Sequence, residues 1–336
     1  MKKLETWRQL AIAVGLTGTL LLPGLSSLLL RAAVAAEYPE RPIKLIVAGT
    51  AGGSTDVVAR QVAELLTPRL KQPVVIENRP GASGAIGAKL VAKATPDGYT
   101  LLVCNSATHG GNAIMLPDLE YDPVKDFAPI VRIVTVPFIL VVNPTSSTQS
   151  VRTLVDLAKT QPGTLKFGFA GKGSFNHIVG ELFQSQAGIQ FVPVTYKGLN
   201  EVVADVAGGH IDLGFPTPGE SLGLITAGRV RALAITGPRR LAALPGVPTI
   251  GEVGFPQGQL LGWGGLCAPA GTPSPVIKRL NEQTIAALMN TSVKSDFERR
   301  GYEIVPNTPD EFGSFIKAEI YRIDGVVNQL GIRPEQ

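Results

Sequence analysis

IKLIVAGTAGGSTDVVARQVAELLTPRL, residues 43–70, is the stretch on which the reading of the whole chain turns. It opens with an apolar run (Ile43, Leu45, Ile46, Val47) that suits a buried strand. The run breaks into Gly49, Thr50, Ala51, Gly52 and Gly53, and apolar residues then recur at helical spacing (Val58, Val62, Leu65, Leu66). Ser54 and Thr55 are candidate helix N-caps, and Asp56 falls in the first turn, where a negative charge suits the helix dipole. A strand, a glycine turn and a helix start in succession leave backbone N–H groups pointing outward, which is the chemistry of an anion site. The same pattern also serves as a plain strand-to-helix turn, and this loop alone does not separate the two readings.

Outward from it the unit repeats. Residues 74–77 read as a second strand that leaves through Asn78-Arg79-Pro80-Gly81-Ala82-Ser83-Gly84. A helix follows, with Ile86, Leu90 and Val91 inward and Ser83 as its cap. Residues 99–103 form a third strand, ending in the polar loop Asn105-Ser106-Ala107-Thr108-His109-Gly110-Gly111. Such alternation predicts a mostly parallel sheet with helices on both faces and ligands beyond the carboxyl ends of the strands. An apolar run at 131–142, broken by Pro137, reads as a crossing into a second lobe, where the pattern restarts. Strands are expected near 165–170, 191–195, 210–215 and 231–236. Helices are expected over 150–160, through Ile178, Leu182 and Phe183, and through Val202, Val203 and Val206. Residues 237–258 read as an irregular connector, 260–268 as the return crossing, and the remainder as mostly helical. The fold class is therefore α/β, two Rossmann-like lobes joined by two crossing strands. Lobe 1 takes 37–140 and 262–336, lobe 2 takes 141–261, and a ligand cleft lies at the hinge.

The first 36 residues carry Lys2, Lys3 and Arg8, an apolar stretch over 10–30, and the small-residue run Ala33-Val34-Ala35-Ala36. These are the three parts of a secretory signal peptide. An uncleaved anchor is the alternative, and Pro23-Gly24 within the apolar stretch favours cleavage, hence a periplasmic location. Without this leader the formal net charge drops from +4 to +1, because four basic residues leave with one acid. The remaining chain has no basic stripe interleaved with aromatics, which argues against nucleic acid. Cys104 and Cys267 lack the spacing of a zinc site or redox pair. Two buried free thiols are the expectation, and one disulfide is the alternative. His109, His177 and His210 are too scattered for a metal site, and neither a metal nor a cofactor is expected.

Seven motifs in fixed order then carry a resemblance. They are GGSTD (52–56), ENRPGASG (77–84), TPDGYTLLV (95–103), YDPVKDFAPI (121–130), GKGSFNH (171–177), YKG (196–198) and PAGTP (269–273). Together they resemble the periplasmic receptors of tripartite tricarboxylate transporters, the Bug family of solute-binding proteins. The resemblance implies a type II periplasmic binding protein fold. It also implies capture of a small organic acid, a di- or tricarboxylate or related carboxylate, and its delivery to a two-component membrane permease. It further implies that the ligand carboxylate is held mostly by main-chain N–H groups, hydroxyls and ordered water.

The residues matching that description in the first loop are Thr50, Ala51, Gly52, Gly53 and Ser54. The loop after the third strand adds Ser106, Ala107 and Thr108, and the second lobe adds Gly173, Ser174 and His177. Ser174 and His177 share a helix's first turn, where a cap and a structural histidine are their alternative roles. Asp212 lies inside the apolar strand HIDLGF, where an acid is costly unless it is paired or faces a cleft. Three features depart from the family pattern. Ala48-Gly49-Thr50-Ala51 replaces a proline-rich first loop, which should widen and loosen the mouth. Lys172 stands where a neutral residue is usual, and Phe215-Pro216-Thr217-Pro218 follows Asp212. The expected protein is a monomeric receptor and not an enzyme. The alternative is a nucleotide- or dinucleotide-dependent enzyme using the turn at 49–53, with Glu77 as ribose-binding acid. That turn is not G-x-G-x-x-G, no P-loop Lys-Ser/Thr follows it, and no G-x-S-x-G elbow supports a hydrolase.

Overall fold

Of the chain's 336 residues, the computed structural model describes 38–332, so the leader expected over 1–36 lies outside the described residues. Strand β1 (Ile43–Val47) and helix α1 (Ser54–Leu70) form as the opening stretch predicts. β1 sits between two parallel neighbours, β2 (Val74–Asn78) and β3 (Thr100–Asn105). Beyond β3 the sheet turns antiparallel: β10 (Leu261–Pro269), β4 (Phe127–Pro137) and β11 (Glu303–Ile304) complete the order β11-β4-β10-β3-β1-β2. A second sheet runs β7-β6-β8-β5-β9, from β5 (Ile139–Val142), β6 (Lys166–Phe169), β7 (Val192–Thr195), β8 (Leu213–Gly214) and β9 (Arg231–Ile235). Here β7, β6, β8 and β9 run in one direction and only β5 opposes them. Each sheet is therefore mixed but keeps the expected predominance of one direction: β1, β2, β3 and β4 run together in the first, with β10 and β11 opposed. The antiparallel members include the segments that carry the chain from one sheet to the other.

Only Phe138 separates β4 from β5, which makes the first crossing very short. The return crossing is tied to it directly. Phe138 N–H donates to Thr236 Oγ1 at 2.9 Å, and Thr236 N–H donates to the Phe138 carbonyl at 2.9 Å. The Thr236 hydroxyl in turn donates to the Leu260 carbonyl at 2.7 Å, at the start of β10. One buried threonine thus gathers both crossings.

Helix α2 (Ala85–Ala92) buries Gly87, Ala88 and Val91. Ile86 and Leu90, expected inward, stand exposed instead, because a short 3-10 turn over Ala82–Gly84 rotates the helix face. Ser83 is not its cap: it takes a positive φ of 51° inside that turn. In the second sheet's core, Phe167, Phe169, Phe183, Phe191 and Phe215 pack together with α4 (Val151–Thr160) and α5 (Phe175–Ala187). Full burial of such a side chain contributes roughly 1.5–3 kcal/mol. A Cβ on Gly180 would lie 2.1 Å from Phe167 Cζ, so the missing side chain is what lets α5 sit on that ring. Helix α6 (Leu199–Gly208) covers the opposite side with Val202, Val203 and Val206.

After α6 the structure holds a helix that the sequence reading left out, α7 (Pro218–Thr226), started by a Thr217/Glu220 capping box with proline at its first position. Helices α8 (Ser274–Leu288) and α9 (Thr291–Arg299) follow β10. The last helix, α10 (Pro309–Leu330), serves both cores: Phe312 and Ile316 pack with the first sheet, Ile323 and Val327 with the second.

Cys104 and Cys267 form a disulfide, against the expectation of two free thiols, and no cysteine among the described residues is free. They lie on the paired strands β3 and β10, where Cys104 faces Gly265 and Cys267 faces Leu102. Their Cα atoms are 5.9 Å apart, a separation a disulfide spans. His109 lies beside them, its ring nitrogen within 4.8 Å of both sulfurs, but the sulfurs are already joined to each other. The bond closes a loop of 163 residues. Replacing both cysteines by serine should lower stability by about 3–5 kcal/mol, the range expected for so long a loop. Urea unfolding of the oxidised and double-variant proteins measures this, and equal midpoints would refute it.

Candidate functional site

The helix starts that face the space between the two sheets are built differently from one another. α1 begins after Gly53, which supplies no side-chain acceptor. The N–H of Ser54 is taken by Glu220 Oε1 at 2.8 Å, while those of Thr55 and Asp56 have no acceptor among the described residues. Ser54 and Thr55 are therefore not caps; they are the first residues of the helix itself. α6 begins after Gly198, again with no side-chain cap. α5 begins after Ser174, whose Oγ accepts from His177 N–H at 3.4 Å and donates to Asn176 Oδ1 at 2.7 Å. Free N–H groups and positive dipole ends from both sheets thus meet around one space.

That space is a cavity of 190 Å³. At about 10–15 Å³ per water centre it holds roughly a dozen waters, or one small organic acid. Its wall is rich in donors. Asn176 Nδ2 is buried without a partner. The hydroxyl of Ser106 makes no hydrogen bond within the described residues, and Lys197 contributes an amine from an exposed position. Val134, Val136 and Phe138 supply an apolar side. An outer pocket shares Thr50, Pro80, Ser83 and Lys197 with the inner one and is lined as well by Lys172.

Of the twelve residues singled out in the sequence, Thr50, Gly53, Ser54, Ser106, Ala107 and Ser174 line this cavity. The other six do not. Ala51 and Gly52 are exposed on the outside of the loop, Gly52 N–H bonding the Asp56 carboxylate at 2.9 Å. Thr108 is fully buried and bonds Asn105 and His109. Gly173 N–H donates to His177 Nδ1 at 3.2 Å, and the His177 ring packs against Phe169 with centroids 4.3 Å apart, so the two are joined to each other beside the cavity. Asp212 accepts from Lys166 N–H at 2.7 Å, between two strands and away from the cavity. Asp56 is held by Arg60, Gly52 and Asn78, which together outweigh its burial and keep its carboxyl below the usual range.

Asn176, Asn105 and Glu220 are among the wall residues that were not singled out in the sequence. Asn105 Oδ1 caps the loop after β3 by accepting from Ala107 and Thr108, each at 3.0 Å. Glu220 reaches α1 from the start of α7, and its signal was present as the spacing Thr217-x-x-Glu220. Glu77, the acid a dinucleotide site would need, is engaged by Lys44 and Arg79 and does not line the cavity.

Comparison with known proteins places the chain in a family. The family model described as "Tripartite tricarboxylate transporter family receptor" matches residues 58–332. The protein BugT of Bordetella pertussis is 37% identical over 297 residues, covering 88% of this chain and 91% of the relative. A solved R. palustris protein with adipate is 34% identical with a TM-score of 0.86, covering 89% of this chain and 100% of that one. MatC from Rhodopseudomonas palustris with bound malate is 29% identical with a TM-score of 0.81, covering 86% and 100%.

The buried histidines give the region a pH signature. Burial pushes His109 down to about 3, and burial with the nearby Lys172 charge pushes His177 down to about 4. An unfolded chain protonates its histidines near 6.5. Between there and pH 4 the unfolded state takes up protons that the folded state refuses, so stability falls as pH drops through that window. The melting temperature should be lower at pH 4.5 than at pH 7, with the NMR signals of both rings flat from pH 8 to 5. Titration of either ring near 6.5 would contradict this.

Proposed function

The chain belongs to the tripartite tricarboxylate transporter receptor family, and on that premise we propose that it captures a small carboxylate in the cavity between its two sheets. The observation that carries this reading is that the uncapped starts of α1 and α6 and the unpartnered Asn176 side chain at the start of α5 bring donors to one cleft. Helix N-termini contribute about 0.3–1 kcal/mol each toward an anion at exposed sites and up to ~2 kcal/mol when partly buried. With several charge-assisted hydrogen bonds they support micromolar binding, near −8 kcal/mol. The relatives solved with adipate and malate hold ligands of this chemical class.

Within this reading Thr50, Gly53, Ser54, Ser106, Ala107 and Ser174 contact the ligand, and Asn176 joins them. The two lobes, 37–140 with 262–336 and 141–261, close on it and favour the closed form by their differential affinity. The loaded receptor acts as a monomer and hands its cargo to a two-component membrane permease. Export to the periplasm accords with the disulfide, which persists in oxidising compartments. No helix among the described residues is long and apolar enough to cross a membrane. The family is one of binding receptors, so the site has no chemistry to perform beyond capture.

A thermal-shift screen of C4–C6 organic acids against NAD and nucleotides tests the reading: acids should raise the melting temperature and nucleotides should not. Ser106→Ala should then weaken acid binding about five- to tenfold with apo stability unchanged, since its hydroxyl bonds nothing in the protein. Ser174→Ala should weaken binding similarly and cost about 1 kcal/mol of stability, because it also removes a helix cap. Unaltered affinity in both variants would remove these serines from the site.

A further inference from the structure

We propose that Glu220 is a specificity-determining residue of this cavity, selecting carboxylates whose other end carries a hydrogen-bond donor, an ammonium or a hydroxyl, over dicarboxylates of equal length. The inference rests on the receptor reading above and goes beyond it by naming the ligand's second functional group.

Three observations carry it. First, Glu220 is itself part of the wall, beside Ser54 and Thr217. Its Oε1 takes the Ser54 N–H at 2.8 Å and approaches the α1 start so closely that a Cβ on Gly53 would lie 3.1 Å away. A donor at the helix start nearest to it is thus already committed to the protein's own acid. Second, every hydrogen-bond partner of this carboxyl is neutral. Oε2 accepts from Thr217 N–H at 3.1 Å and from the Thr217 hydroxyl, and no ion pair among the described residues includes it. Burial accordingly raises the pKa of Glu220 above the ordinary glutamate value, the direction of an acid short of positive charge. Oε1 carries one donor and has room for a second.

Third, the charged side chains of the wall are one acid and one amine. Asn176 Nδ2 is buried and unpartnered, and Lys197 brings the one amine side chain of the inner cavity. The site therefore holds one acid and one amine. A ligand with one carboxylate and one donor complements both groups. A second carboxylate brought against Glu220 would place two like charges in a partly dehydrated space, which forces proton uptake or repulsion.

Isothermal titration calorimetry at pH 7.5 tests this with matched probes: succinate, glutarate and adipate against the ω-amino and ω-hydroxy monocarboxylates of the same chain length. The expected result is that the best donor-bearing acid binds at least tenfold tighter than the diacid of its length. Glu220→Gln, which keeps the size of the side chain but removes its charge and one of its two acceptor oxygens, should shrink that ratio tenfold or reverse it. Diacids binding as tightly as their partners in the wild-type protein, or a ratio unmoved by Glu220→Gln, would overturn the inference and leave the receptor reading standing. Binding of none of these acids would overturn both. The wild-type ratio alone is decisive if the variant fails to fold.

Discussion

A helix that starts without a side-chain acceptor leaves N–H donors that something else must satisfy, and this molecule places such starts where a ligand can reach them. α4, α9 and α10 begin away from the cavity and are capped by Ser150, Asn290 and Thr308. α1 and α6 begin in the cavity wall after glycines that offer no oxygen, while α5 and α7, which also begin there, are capped by Ser174 and Thr217. α8, which begins after Pro273 elsewhere, is likewise uncapped, so the lack of a cap alone does not make a site. What distinguishes α1 is its setting: Ser174, Asn176 and Glu220 line the same cleft that its first residues line. In that setting a hydrogen bond to an anion is worth more than it would be at the surface.

The cleft in turn depends on how the sheets are joined. The two crossings meet at Phe138 and Thr236, where three buried hydrogen bonds tie β4, β9 and β10 into one joint. α10 adds a second link, since its first half packs in one core and its second half in the other. The two cores are thus joined by a packed helix as well as by the two crossing strands.

Most of this architecture was legible because it rests on local pattern. Apolar runs marked nearly every strand, glycine turns marked their ends, and helical spacing found α1, α5 and α6. What escaped depends on distant partners. Asp212 accepts from the backbone of Lys166, 46 residues away, a partner for an acid in an apolar strand that spacing alone cannot show. Cys104 and Cys267 meet only because β10 returns beside β3, a pairing that spacing cannot show. α7 was a different kind of miss. Its capping box was present, but Pro216, Pro218, Gly219 and Gly223 hid the helical pattern behind turn residues. With α7 went Glu220, the residue that most alters the character of the site.

The loop at 49–53 shows how the departures from the family pattern fit together. Without prolines or an aromatic ring it should be loose, yet the second sheet's helices hold it from two sides. Asn200 Nδ2 donates to the Ala51 carbonyl at 3.2 Å, and Gly198 sits so near that a Cβ there would lie 3.2 Å from the Thr50 side chain. On the other flank Gly219 N–H donates to Ser54 Oγ at 3.2 Å, and Ser54 Oγ also meets Tyr302 at 2.8 Å and the Thr217 hydroxyl. The stiffness that prolines would have built into the loop is supplied here by contacts from both sides of the cleft, Asn200, Thr217 and Gly219 from the second sheet's helices and Tyr302 from beside β11.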